Sequence, residues 1–331
     1  MPNDHVLVTG CAGFIGSCVT RQLLAQGCWV IGVDNLNDAY DPRIKEWRLS
    51  QLMGDSKFRF KLGDLTDTKF VANTVETAQM ETGAPLGAVA HLAARAGVRD
   101  SLLDPLSYQA TNVNGTINVL DACVAHNINN IVLASTSSLY GSRNDVPFAE
   151  SDDTDHPLSP YAASKKGAEA ILYAYHHNYG LNTTALRFFT VYGPAGRPDM
   201  SIYRFVGWIL EEKPVRIFGD GLQSRDFTFV EDIADGVRAA LSLPGHNVIN
   251  LGGDHPYSLL EVIRLIESLT GLTAELTFED PQSADVPSTW ADISMAKDML
   301  GWAPTTDLRE GLRHTVDWYR NNRALALDLL A

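Results

Sequence analysis

Apolar and polar positions along this chain switch between a strand-like and a helix-like period. Val6-Leu7-Val8 is a short apolar run that predicts a buried strand, after which Phe14, Ile15, Val19, Leu23 and Leu24 recur at helical spacing. Cys28 to Val33 predicts a second strand, ending in Asp34. Lys57 to Leu62 alternates like a strand, and Gly63-Asp64-Leu65 turns out of it. Helix-like sequence follows from Asp67 to about Met80. Leu86 to Leu92 predicts a fourth strand running into Ala93-Ala94, and helix-period sequence then covers Pro105 to His126. Ile131-Val132-Leu133-Ala134 predicts a fifth strand, followed by the hydroxyl cluster Ser135-Thr136-Ser137-Ser138. Arg143 to Pro160 is acidic and proline-containing, and reads as a loop. A helix from Ser159-Pro160-Tyr161 to about Tyr179 and a strand over Thr183 to Phe188 complete the regular part.

This alternation predicts an α/β fold, a Rossmann-type doubly wound parallel sheet. Beyond Gly193 the pattern loosens into a short strand at Val215-Arg216-Ile217 and helices near 231–241, 259–269 and 308–323. We expect a dinucleotide-binding domain over residues 1–190. Residues 191–331 are expected to form a smaller C-terminal α/β substrate lobe that returns at least one strand to the main sheet.

The turn between the first strand and the first helix spaces its glycines as G-x-x-G-x-x-G, at Gly10, Gly13 and Gly16. A dinucleotide pyrophosphate sits at such a turn, because the N–H groups and the dipole of the following helix favour an anion. A Cβ would block the turn, the approach to phosphate, or the packing of helix on strand. Alone, the motif could be a tight loop. The second strand and Asp34, eighteen residues beyond Gly16, supply context. A carboxylate there accepts hydrogen bonds from a ribose 2′-OH and repels a 2′-phosphate, so the expected cofactor is NAD rather than NADP. Reading Asp34 as an ordinary turn residue with Asn35 is the weaker alternative. The small residues Ala93 and Ala94 let the backbone come close to a ligand, and the hydroxyl cluster lies at the sheet edge where ligands bind.

At 331 residues the chain is long enough for one large domain or a domain plus a lobe, and its 45% hydrophobic content is that of a globular protein. No run of about 18 apolar residues exists, so no membrane span is expected, and with the first strand starting so early no signal peptide is expected either. Cys11, Cys18, Cys28 and Cys123 have no metal or disulfide-framework spacing and are expected to be reduced and buried, as in the cytoplasm. The histidines show no metal spacing either; His91 reads as a packed strand-end residue, while His176 and His177 read as solvated. A net charge of −14 argues against nucleic acid or anionic membrane as a partner. An anionic ligand would need arginines gathered locally.

Tyr161-Ala162-Ala163-Ser164-Lys165 puts a phenol and an ammonium four apart on one helix face. A nearby cation favours phenolate, which would make Tyr161 a usable base near neutral pH. A surface Tyr and Lys is the chance alternative. The glycine loop, the hydroxyl cluster and this pair, in this order, resemble the extended, nucleotide-sugar-modifying form of the short-chain dehydrogenase/reductase superfamily, over essentially the whole chain. The resemblance implies that Thr136 holds the reacting sugar oxygen, with Ser137 and Ser138 beside it. Tyr161 becomes the acid/base, and Lys165 the ribose anchor and pKa tuner. Asp64 and Leu65 would lie under the adenine, and Ala93 and Ala94 would line the pyrophosphate side with Asn112 near them. Phe14, Ile15, Asn35 and Phe188 would complete the cofactor site.

Three further segments narrow the resemblance. Arg225-Asp226-Phe227 resembles an R-D-[FY] motif whose arginine contacts the nucleotide diphosphate, Val215 to Phe218 the strand that holds uracil through Val215 and Ile217, and Asp285-Val286 the segment near the uridine ribose. The arginine that usually precedes this last segment is replaced by Gln282-Ser283-Ala284. Arg187 to Met200, with Thr190 and Arg197-Pro198-Asp199-Met200, is similar to UDP-glucuronate 4-epimerases. UDP-galactose 4-epimerases tend to carry Asn in place of Thr190. Arg197 is then implied to clamp a substrate carboxylate, assisted by Thr190, with Arg95 and Arg99 as further candidates. The implied partner is a UDP-sugar, UDP-glucuronate or UDP-galacturonate, and the implied assembly is a homodimer through the helices at 105–126 and 161–179. A UDP-glucuronate decarboxylase or another UDP-hexose 4-epimerase is the nearest alternative. A 4,6-dehydratase would carry Asp-Glu where this chain has Ser137-Ser138. An inactive NAD-binding sensor would have no need of Thr136, Tyr161 and Lys165 together.

Overall fold

The apolar run near the N-terminus forms the centre of a seven-stranded sheet in the computed structural model, which describes residues 4–143, 145–281 and 286–330. Its first six strands are β1 (His5–Thr9), β2 (Trp29–Asp34), β3 (Phe58–Leu62), β4 (Ala88–His91), β5 (Asn130–Thr136) and β6 (Asn182–Phe188). They lie in the spatial order 3-2-1-4-5-6, all parallel. The strand order reverses between β1 and β4, so the loops leaving these two strands open a crevice at their carboxyl ends, where doubly wound sheets bind ligands.

The helices between these strands are α1 (Phe14–Ala25), α2 (Arg43–Ser50), α3 (Thr68–Thr82), α4 (Val98–Leu103), α5 (Pro105–Gln109), α6 (Gly115–Ala125) and α7 (Pro160–Tyr179). Valine, isoleucine and leucine from both faces of the strands are buried, with α1 on one side and α3, α6 and α7 on the other. That is why the strands read as continuous apolar runs rather than alternating ones. Asp67 caps α3 by accepting from the N–H groups of Lys69 and Phe70. Ser159 caps α7 by accepting from Ala162, and Pro160 fills the first helical position. Each cap contributes about 1 kcal/mol. The helical stretch expected over 105–126 is not continuous. A π turn at Ala110–Asn114 separates α5 from α6 and turns Asn112 inward.

After β6 come β7 (Thr190–Tyr192), α8 (Ser201–Leu210), β8 (Val215–Phe218), β9 (Ser224–Phe229), α9 (Val230–Ala240), β10 (His246–Leu251), β11 (Pro256–Ser258), α10 (Leu259–Thr270), β12 (Leu276–Glu279), α11 (Ser294–Leu300), α12 (Leu308–Asn321) and α13 (Arg323–Asp328). β10 joins the main sheet beside β6, the returning strand that the sequence led us to expect. The remaining strands form two small sheets, β11-β9-β7 and β12-β8. A second core gathers α8, α10 and α12 with β8 and β9. It also takes Ile44 from α2, with Tyr40 and Trp47 packed against it, so α2 belongs to both halves of the molecule. Trp47 meets Trp318 edge-on at 5.4 Å between ring centroids. α2 carries no sequence pattern that announces it, because its charged composition resembles a solvated segment.

Candidate active site

Gly10 and Gly16 stand where a side chain cannot, and a Cβ on Gly13 would sit 3.0 Å from the Gly10 carbonyl oxygen. A Cβ on Gly10, whose φ is +73°, would lie 2.7 Å from the Ala93 nitrogen, and one on Gly16 would lie 1.9 Å from the Gly10 carbonyl oxygen. The loop therefore packs directly on the backbone leaving β4. No side chain caps α1 and no acidic residue occupies its first turn, which leaves that helix end suited to an anion. The Asp34 carboxylate ends β2 beside the loop and accepts from the N–H groups of Ala12 (3.1 Å) and Leu36 (2.9 Å). Asn35 donates to Asp64 at 2.7 Å, which fixes the floor next to Leu65. Gly10, Gly13, Phe14, Ile15, Gly16, Asp34, Asn35, Asp64, Leu65, Ala93, Ala94 and Phe188 all line one cleft. This cradle fits the expected NAD. Asn112 does not line it. Its buried amide bonds the Arg95 N–H and carbonyl and the Ser164 hydroxyl, so it holds the loop after β4 from behind.

Thr136, Tyr161 and Lys165 line the same cleft. Thr136 sits at the last position of β5, opposite Phe188 of β6, and Tyr161 lies in the first turn of α7. Burial pushes the Tyr161 phenol above its ordinary value, and a hydrogen bond with Thr136 and the charge of Arg197 pull it back. Lys165 lies a turn further along α7, is 2% exposed, and interacts with Glu169. Burial lowers its pKa to about 8, against the opposing pull of Glu169. Behind it, Glu169 accepts from the Ser135 hydroxyl and pairs with Arg187 through both carboxylate oxygens. His91 bonds Thr9 and Thr116, and burial lowers its pKa to about 3, so it stays neutral and structural as expected.

Beside Arg197 on the cleft stand two residues with no counterpart among the sequence expectations, Tyr40 and Lys45. The cationic groups of Lys45, Arg48 and Arg197 lie 4.7, 5.6 and 5.3 Å from the centre of the Tyr40 ring. Arg197 also forms a two-point pair with Asp199, Nε to Oδ1 at 3.1 Å and Nη2 to Oδ2 at 2.6 Å, and donates to the Ala96 carbonyl. The only sequence signal for Lys45 and Arg48 is their three-residue spacing on one helix face. Thr190 meets Arg197, Phe14 and Gly196 around a small adjoining recess. Ser137 and Ser138 occupy the single 3₁₀ turn after β5, where Ser138 accepts from Thr136.

The expected nucleotide residues are more scattered. The guanidinium of Arg99 stacks over Phe218 at 4.8 Å, on the rim of an open depression lined also by Gln223, Phe278 and Val286. Val215 and Ile217 are a correction: both side chains are buried in the second core, so only backbone or Phe218 is available to a ligand there. Strand alternation sends every second residue inward, and these two are the inward ones. Arg225 is half-buried on β9. Its neighbour Asp226 accepts from the N–H groups of Gly253 and Ala291, and burial raises its pKa to about 7. Asp285 lies outside the described residues. Among the described residues, no cluster of metal-ligating groups occurs, and no helix is long and apolar enough to cross a membrane. All four cysteines are unpaired and buried.

A family model described as GDP-mannose 4,6 dehydratase matches residues 7–315. The chain is 50% identical over 319 residues to a UDP-glucuronate 4-epimerase of Thermodesulfobacterium geofontis, an alignment covering 96% of this chain and 97% of that one. It is 42% identical to UDP-glucuronate 4-epimerase 1 of Arabidopsis thaliana, over 95% of this chain and 76% of the relative. The crystal structure of UDP-glucuronic acid 4-epimerase from Bacillus cereus, in complex with UDP-glucuronic acid and NAD, superimposes with a TM-score of 0.89 at 35% identity, covering 96% of this chain and 99% of that one.

Proposed function

The chain belongs to the GDP-mannose 4,6 dehydratase family of extended short-chain dehydrogenase/reductases, and we propose that it interconverts UDP-glucuronate and UDP-galacturonate by NAD-dependent inversion at C4. The observation that carries this reading is the meeting of Thr136, Tyr161 and Arg197 on the cleft that the glycine loop and Asp34 also line. NAD, when bound, accepts a hydride from C4 and returns it to the opposite face of the 4-keto sugar, so no net redox change occurs. Tyr161 takes the proton of the 4-OH and later gives it back. Thr136 holds the reacting oxygen, and Lys165 anchors the ribose. Arg197, with Thr190 next to it, holds the sugar carboxylate. In this reading residues 1–190 carry the cofactor, while 191–331 bind mainly the UDP portion, through Arg225 and the depression beside Phe218 and Arg99. The four unpaired cysteines fit a cytoplasmic enzyme.

A cofactor regenerated in every turnover has no reason to leave. Purified protein is therefore expected to carry NAD and to convert UDP-glucuronate to UDP-galacturonate, followed by NMR, with added NAD⁺ changing the rate little. Apo protein that prefers NADP⁺ would overturn the role of Asp34, and UDP-pentose as the main product would make the enzyme a decarboxylase.

We also propose a homodimer joined through α5–α6 and α7. Leu106, Tyr173 and Tyr179 are exposed on these helices, with Leu102 and Leu103 next to them on α4. An apolar surface of that kind is unusual on a solvated face. Sedimentation at micromolar concentration should give twice the chain mass of 36.2 kDa; a monomer would contradict the assignment.

A further inference from the structure

We propose that Arg48 is a positioning residue that sets the substrate-carboxylate clamp by holding the loop that carries Arg197; this rests on Arg197 reading the carboxylate. Arg48 leaves α2 and is 2% exposed. All five of its N–H groups are engaged. Nε and Nη2 donate to the Ala195 carbonyl at 2.9 and 2.7 Å, and Nη2 also reaches the Gly196 carbonyl at 3.1 Å. Nη1 donates to the Ala12 carbonyl in the glycine loop at 3.3 Å and to the Tyr40 hydroxyl at 2.9 Å. Every acceptor is neutral. A buried guanidinium costs desolvation that a carboxylate partner would normally offset. What this one gains is a rigid, planar join between two stretches of backbone far apart in sequence, Ala12 and Ala195–Gly196, and the Tyr40 hydroxyl.

Those pieces matter because of where they lead. Ala195 has φ of +52°, a left-handed conformation that a side chain disfavours, and it stands two residues before Arg197. Two N–H groups of Arg48 meet its carbonyl, so the strained turn is held from outside rather than by its own preference. The same guanidinium grips the glycine loop beside Asp34, whose carboxylate accepts from the Ala12 N–H. Arg48 thus ties the cofactor cradle and the Arg197 turn into one unit. Tyr40, which Arg48 bonds through its hydroxyl, lies beneath the Arg197 guanidinium. Without this join the turn can relax away from φ of +52°, and Arg197 is displaced while its charge is retained. Misplacement of about 1 Å can cost as much as 10²-fold in rate.

The test is a double-substitution cycle. Arg48→Lys keeps the charge but cannot span Ala195, Gly196, Ala12 and Tyr40 together. With UDP-glucuronate it should lower kcat/KM by about 10- to 10²-fold and raise the fraction of UDP-4-keto-pentose. In an Arg197→Ala background the same change should cost almost nothing more. Ala195→Gly, which accepts the left-handed turn freely, should restore part of the activity and product ratio of Arg48→Lys. Thermal melts and retained NAD report on folding separately. Equal losses in both backgrounds, or a loss of melting temperature without any change in product ratio, would show that Arg48 only supports the fold. If Arg197→Ala itself leaves kcat/KM and product ratio unchanged, the clamp reading fails instead, and this inference falls with it. Should Arg48→Lys not fold, Ala195→Val, which penalises the left-handed turn and leaves Arg48 in place, should raise the keto-pentose fraction; an unaltered ratio there overturns the proposal.

Discussion

Tyr161→Phe is expected to lose about 10²–10⁴-fold in turnover while retaining NAD and UDP-sugar binding. The substitution removes one oxygen and leaves the ring, which meets Tyr108 edge-on at 6.2 Å between centroids. The loss falls on proton transfer alone, because the oxygen that takes and returns the 4-OH proton is gone while the walls of the cleft stay. Lys165→Met should behave differently. It too lowers turnover, but it also removes a buried ammonium that lines the cleft and that we propose anchors the ribose, so NAD retention should fall with it. Steady-state rates and the NAD content of the purified variants separate the two cases. Near wild-type turnover in Tyr161→Phe would sink the proposed mechanism.

What could be read from sequence depended on how local the signal was. The glycine loop, Asp34, and the four-residue step from Tyr161 to Lys165 are features of single turns and strand ends, and each stands on the cleft as expected. The facing of an isolated strand is less local. Val215 and Ile217 were expected to meet a ligand, but the second core claims them, and nothing in four residues says which face packs. The sequence puts Asn112 among the cofactor residues, but the π turn around it directs its amide to the loop after β4 and away from the cleft. Least legible was α2. Lys45 and Arg48 sit in a charged stretch, and only the folded chain shows that the helix enters the second core through Ile44 and turns both cations toward Tyr40. Buried cations whose partners are backbone carbonyls leave no pattern in sequence, since every residue has a carbonyl.

Arg197→Ala is expected to lose UDP-glucuronate epimerisation by about tenfold to more than a hundredfold, since a charge-assisted contact is worth about 1.5–3 kcal/mol and about 1.4 kcal/mol is a factor of ten. In a chain with net charge −14, a sugar carboxylate needs a dedicated cation, and Arg197 is the arginine that lines the cleft with Tyr161. Its Nε–Nη2 edge is already bridged to Asp199 and Nη2 also reaches the Ala96 carbonyl, so a two-point hold on the substrate through Nη1 and Nη2 competes with Ala96 rather than with Asp199. Such a hold fixes the C5–C6 bond near the plane of the 4-keto group. Decarboxylation needs the breaking C5–C6 bond perpendicular to that plane, where its electrons can enter the carbonyl. The residual turnover of Arg197→Ala should therefore contain a larger fraction of UDP-4-keto-pentose. The pH profile carries a second signature. Arg197 is one of the two influences that pull the Tyr161 phenol down against burial, so its removal raises that pKa. The base form is then reached at higher pH, and the rising limb of the rate should move upward in pH. Unchanged UDP-galacturonate formation with an unshifted limb would pass the carboxylate to another cation, with Arg95 and Arg99 after β4 the next to test.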